Sequence, residues 1–327
     1  MGVTMNAYAS LLVMIDPDKP VDELLSFATT LAVAHGAVLH ICVPVKPVEF
    51  SGWASEAQRT RENNQCLAQL QSWLRAKLAQ WPAPAKVVCT YPWSESLADT
   101  LLTTQGRLQP DLVIKLQEDH AAFGWPLVTP PDWRLLRECR APLLLLVPPA
   151  MAGSRRVIAA LDLMPVEEGH SLDEDVINAA LNLAEPIKAD VDLVHAFEFA
   201  SMQVATEGAG QTWTQLLARQ RRQCETRLAH AAQSHHLPVE HCHMLEGRAV
   251  PTLARMVPNA GDLLVMGRSR HEGLETWLGT TPERVLARHP AYGLLVVGPL
   301  DHEPVLHGYR RPLRERLDAL VGMMFPD

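Results

Sequence analysis

Short, unbroken apolar runs alternate with longer amphipathic stretches along most of the chain. SLLVMIDP (10–17), VLHICVPV (38–45) and APLLLLVPP (141–149) are runs of this kind, each bounded by Pro, Asp or polar residues. Such runs predict strands buried on both faces, because a strand with one wet face would alternate apolar with polar. Between them, DELLSFATTLAVAHG and QCLAQLQSWLRAKLAQW (65–81) carry apolar residues at helical spacing. Strand and helix in alternation predict parallel strands joined by right-handed crossovers, with helices on both faces.

The pattern occurs twice. RRVIAALDLMP (155–165) repeats the first strand, and Asp162 ends it as Asp16 ends its counterpart. DEDVINAALNLAEPIK, VDLVHAFEF (191–199) and RRQCETRLAHAAQSHH (221–236) follow in the same order. KVVCTYPWSESLADTLLTTQGRLQPDLVIKLQ (86–117) matches VEHCHMLEGRAVPTLARMVPNAGDLLVMGRS (239–269), and Asp111 and Asp262 open corresponding strands. GLLVVGP (293–299) closes the second copy, and MAGSR (151–155) joins the two. The chain is therefore predicted to hold two tandem five-stranded parallel-sheet domains, residues 1–150 and 155–300, packed as a pseudo-dimer. Residues 301–327 form an extension outside the repeat, with apolar residues at 313, 317, 320, 321 and 324 that predict a helix. It packs on its own chain or on a partner. In open α/β sheets, function gathers just beyond the carboxyl ends of the strands.

Composition narrows the function. Of 327 residues, 47% are hydrophobic and 20% charged, which suits ordinary cores and excludes a disordered chain. A net charge of −8 without a basic run argues against general nucleic-acid binding, which rests on phosphate neutralisation. The absence of an 18-residue apolar run or a basic leader predicts a cytoplasmic protein with no membrane span. Six cysteines without a CxxC pair read as reduced, buried thiols.

The segment 263–299 carries the best candidate chemistry. Gly267 ends a buried strand, where the backbone would turn close to a bound group. Gly279-Thr280-Thr281-Pro282-Glu283 opens the last helix, with Thr280 and Glu283 spaced as a capping box. Free N–H groups there suit phosphate. An ordinary capped helix fits the same residues.

These residues resemble the universal stress protein family, in its tandem-domain form, over roughly residues 10–299. The family's nucleotide-binding motif is G-x2-G-x9-G-[S/T] after strand four. Gly267 matches its first glycine and Gly279-Thr280 its last pair, but Arg270 stands at the second glycine and the interval is one residue short. The resemblance implies a Rossmann-like, adenine-nucleotide alpha-hydrolase-like fold and ATP with Mg as ligand. It places ribose at Asp162, adenine at the backbone of Ala196 and Phe197, and phosphates along Met266, Gly267, Arg268, Ser269, Arg270, Gly279, Thr280 and Thr281. A cytoplasmic stress-response protein, regulatory or protective, is the function implied. Carriage of an apolar or lipid-like molecule and slow ATP hydrolysis at the Gly267–Thr281 loop are the alternatives.

The first copy lacks the glycine. It reads KLQEDHAAFGWPLVTPPDW (115–133), where Lys115 is offset by Glu118 and Asp119, so phosphate should be repelled. Trp125, Pro126, Pro130, Pro131 and Trp133 make a stiff apolar surface: a degenerate packing copy or an apolar pocket. His241 and His243 share a face if residues 241–243 form a strand, and could begin a zinc site that still lacks two ligands. No GxSxG, HExxH or Walker A run is present, and no catalytic residue is assigned. The repeat leaves open a monomeric pseudo-dimer or a homodimer.

Overall fold

The computed structural model describes residues 8–47, 55–118, 131–147, 156–163, 172–197, 213–257, 259, 261–268, 281–288 and 291–298. The extension 301–327 lies outside them, as do Ser269, Arg270, Gly279 and Thr280.

The first half runs β1 (Ser10–Met14), α1 (Asp22–His35), β2 (Val38–Cys42), α2 (Glu56–Leu78), β3 (Lys86–Thr90), α3 (Leu97–Leu108), β4 (Leu112–Leu116), α4 (Pro131–Glu138) and β5 (Leu143–Leu146). The second half runs β6 (Arg156–Leu161), α5 (Leu172–Ile187), β7 (Asp190–Phe197), α6 (Trp213–Ser234), β8 (Cys242–Glu246), α7 (Ala249–Met256), β9 (Leu263–Gly267), α8 (Thr281–Leu286) and β10 (Gly293–Val297).

All ten strands form one sheet, ordered β3-β2-β1-β4-β5-β10-β9-β6-β7-β8. Each half therefore has the same strand order. Neighbours are parallel except β5 and β10, which pair antiparallel with Leu294 opposite Leu145 and Val296 opposite Leu143. That pair is the seam of the intrachain pseudo-dimer.

Buried strands explain the continuous apolar runs. Leu11, Val13 and Ile15 face a helical layer built from α1, α2, α5 and α6. Leu12 and Met14 face the other layer, of α3, α4, α7 and α8. Both cores continue across the seam, where α1 meets α5 on one face and α4 meets α8 on the other. His35, at the end of α1, lies 3.0 Å by its Nε2 from the Asn182 carbonyl oxygen of α5. Gly36 closes α1 at φ 64, a left-handed turn that suits glycine.

Two expectations need correction. His241 does not lie on a strand: it ends a 3-10 turn, Val239–His241, and β8 begins at Cys242. Pro238 sets that turn, whose N–H from His241 reaches the Pro238 carbonyl at 3.1 Å. The thiols are all free, yet only Cys42, Cys139 and Cys224 are buried, and Cys89 is exposed on edge strand β3.

Candidate functional site

Strand order reverses between β6 and β9, because β7 pairs on one side of β6 and β9 on the other. A crevice opens at such a point, beyond the carboxyl ends of the strands. Asp162 leaves β6 there, Ala196 and Phe197 end β7, Met266 and Gly267 end β9 with Arg268 next, and Thr281 opens α8. The described candidates thus share one rim of the sheet.

Asp162 is exposed at this rim. The backbone carrying it is fixed by Asp173 of α5, whose carboxylate accepts the N–H groups of Asp162 (2.9 Å) and Leu163 (3.0 Å). Leu163 sits at φ 53, and its carbonyl accepts Arg227 of α6 at 2.7 Å. Two helices therefore hold the turn after β6. Phe197 stacks on His195 with ring centres 6.3 Å apart, and its carbonyl takes the Gly247 N–H at 2.8 Å.

Gly267 and Arg268 have structural employment already. A Cβ on Gly267 would stand 2.5 Å from Leu172 Cδ2 and 2.7 Å from its Cγ, so the first turn of α5 accounts for the glycine. Arg268 turns to the other half, where its guanidinium donates to the carbonyls of Leu136 and, at 2.9 Å, Cys139. These are terminal carbonyls of α4, which lack helical donors and attract cations. Glu283, read as the acid of a capping box, is buried in α8 and pairs with Arg137 of α4. Its capping partner Thr280 lies outside the described residues.

The first half differs at the matching rim, between β1 and β4. Lys115 occupies in β4 the register that Met266 occupies in β9. Asp132 follows Pro131 at the start of α4, as Glu283 follows Pro282 in α8. Lys115 Nζ lies 2.5 Å from Asp132 Oδ1 and 3.0 Å from Glu118 Oε1, and Lys19 reaches Glu118 Oε2 at 2.6 Å. Burial alone would raise the Glu118 pKa, but Lys115 and Lys19 outweigh it and hold the carboxyl below its ordinary value. The sequence showed Lys115 and Glu118 but not their completion. Lys19 and Asp132 come from distant segments. The repeated Pro-acid pair, 131–132 and 282–283, was the one signal that could have found Asp132.

The two histidines do converge, on a carboxylate. His241 Nδ1 is 2.7 Å and His243 Nε2 3.4 Å from Asp192 Oδ1, and Arg156 approaches the other oxygen at 3.5 Å. Arg156 also pairs with buried Asp262 at 3.1 Å. Among the described residues no group of three or more His, Cys, Asp or Glu side chains could hold a metal ion. Nor is any described helix long and apolar enough to cross a membrane.

Residues 154–297 match the universal stress protein family. Over 322 residues the chain is 26% identical to universal stress protein E of Salmonella typhi, spanning 91% of this chain and 97% of that protein. It is 24% identical over 212 residues to universal stress protein E of Escherichia coli strain K12, spanning 62% and 66% of the two. Among solved structures, a functionally unknown protein from Pseudomonas aeruginosa PAO1 superposes with a TM-score of 0.66 at 24% identity, covering 91% of this chain and 95% of that one. A universal stress protein from Archaeoglobus fulgidus DSM 4304 gives 0.56 at 12% identity, covering 91% and 99%. The structural likenesses establish the shared fold.

Proposed function

We propose that this chain, whose second half matches the universal stress protein family and which resembles universal stress protein E over most of its length, is a cytoplasmic stress-response protein, regulatory or protective. We infer further that it takes one adenine nucleotide per chain, in the second half. The asymmetry between the two rims carries this reading. In the first half, two lysines and two carboxylates close upon one another at the strand-order switch. In the second half, Met266 replaces the buried lysine, Glu283 is drawn to Arg137, and Asp162 is exposed at the mouth.

In this reading the Asp162 carboxylate accepts the ribose hydroxyls, and Asp173 fixes the Asp162 backbone from behind. The end of β7 at Ala196 and Phe197 borders the base. The phosphates, with Mg, run toward the stretch between Gly267 and Thr281, most of which lies outside the described residues. No chain group is assigned to bond cleavage.

Equilibrium dialysis of the full chain against labelled ATP with Mg tests the proposal. One site per chain is expected, weakened about tenfold or more by Asp162→Ala, the scale of one charge-assisted hydrogen bond. Two sites, or binding indifferent to Asp162→Ala, would overturn it. The contact between Leu172 and Gly267 favours a second reading, a stress protein without nucleotide, in which the glycine serves packing alone. Absence of binding to the wild-type chain supports that reading.

A further inference from the structure

At the first-half rim every oxygen of two carboxylates is used. Asp132 Oδ1 takes Lys115 at 2.5 Å, and Oδ2 takes the Glu118 backbone N–H at 2.7 Å. Glu118 Oε1 takes Lys115 at 3.0 Å, and Oε2 takes Lys19 at 2.6 Å. Asp132 is 0% and Lys115 3% exposed. The donors come from both sides of the strand-order switch, Lys19 from the turn after β1 and Lys115 and Glu118 from the end of β4.

Lys115 Nζ and the Glu118 backbone N–H converge on Asp132, with Lys19 held beside them by Glu118, a donor set suited to an oxyanion. The crevice at a switch point is also where such a ligand would sit. Here the negative charge is supplied by the chain. Asp132 stands in the first turn of α4, where the helix dipole favours an anion. A buried lysine needs this partner, since an unpaired ammonium in the interior is costly.

We propose that Asp132 is an internal anion: the first half is an oxyanion site filled from within. Removing that one carboxylate turns it into a site for free inorganic phosphate. The reason is charge balance. Lys19 and Lys115 are matched by Glu118 and Asp132, and without Asp132 one buried positive charge faces the vacated space. The second half has no equivalent closed set among the described residues, because Met266 stands in the register of Lys115. The proposal concerns the first half and is independent of what the second half binds.

The test uses the full chain carrying Asp132→Ala, melted in inorganic phosphate and in chloride of equal ionic strength. The melting temperature should fall by several degrees in chloride and recover by more than half in tens of millimolar phosphate. The wild type should show no comparable phosphate effect. Adding Lys115→Met should abolish the recovery, because it removes the cation that the phosphate pairs with. Recovery no greater than in chloride, or equal recovery in the double variant, would overturn the proposal. If Asp132→Ala does not fold, Asp132→Ser, which also empties most of the carboxylate's space, decides by dialysis against labelled phosphate. One phosphate more per chain than the wild type supports the proposal, and no gain overturns it.

Discussion

Arg268, at the end of β9 in the second half, donates to the Cys139 carbonyl in the first half across 2.9 Å. The pair joins a strand end to a helix end through the seam. Arg268 also donates to the Leu136 carbonyl, and its guanidinium lies against Gly298, where a Cβ would meet Nη2 at 3.0 Å. Arg268→Ala should therefore cost stability, about 1–3 kcal/mol for charge-assisted hydrogen bonds to otherwise orphaned carbonyls. Urea denaturation should show a lower midpoint. An unchanged midpoint would mean that the cross-seam contact adds nothing.

Cys139 provides a chemical reporter of the same contact. Burial pushes its pKa up to about 12, so the reactive thiolate is scarce near neutral pH. Exposed Cys89 should alkylate before Cys139 in the native chain, and Cys139 should stay protected until the seam opens. Arg268→Ala removes a cation that lowers the Cys139 pKa, yet by opening the seam it should still speed Cys139 labelling several-fold while leaving Cys89 unchanged. Peptide mass spectrometry after timed labelling distinguishes the two. Fast labelling of Cys139 in the wild type would contradict its placement.

Gly267 and Leu172 permit a packing test. Gly267→Ala drives a Cβ into the Leu172 side chain and should destabilise by about 1–3 kcal/mol, the usual range for overpacking. Gly267→Ala should be relieved in a Leu172→Ala background, where the space is vacated. A double-mutant cycle in denaturant reads the coupling. Additive losses would show that Leu172 is not the reason for the glycine.

Glu118 sets an acid limit. Its carboxyl titrates below the ordinary value in the folded chain, so the unfolded chain binds its proton first as pH falls. The stability from this group is full above the ordinary glutamate pKa of about 4.3 and is lost as pH drops toward the lower folded value. Glu118→Gln should flatten the stability curve in that acid window and lower stability at neutral pH. Denaturant midpoints from pH 3 to 7 check this. An acid limb identical to wild type would remove Glu118 from the account.

The repeat was legible because it rests on local pattern. Asp16 and Asp162 mark equivalent strand ends, and apolar runs such as Leu11–Ile15 needed only burial on both faces to be read as parallel strands. The site was legible where one residue type announced a turn, as at Gly267, but its reason was not. The neighbour that forbids a Cβ is Leu172, nearly a hundred positions away. The pair Arg137–Glu283 spans 146 positions, and no local spacing records it. The spacing of His241 and His243 suits two side chains facing together on a strand. They meet at Asp192 by another route, one from a turn and one from β8.

The antiparallel pairing of β5 with β10 sends the two mouths to opposite edges of the sheet. One short rod connects them. At its beginning, α4 carries Asp132, set into the first mouth; near its end it carries Leu136 and Arg137, which hold Arg268 and Glu283 beside the second. Eight residues of helix span only about 12 Å. A single eight-residue helix therefore borders both mouths, its first turn set inside one and its last turn beside the other.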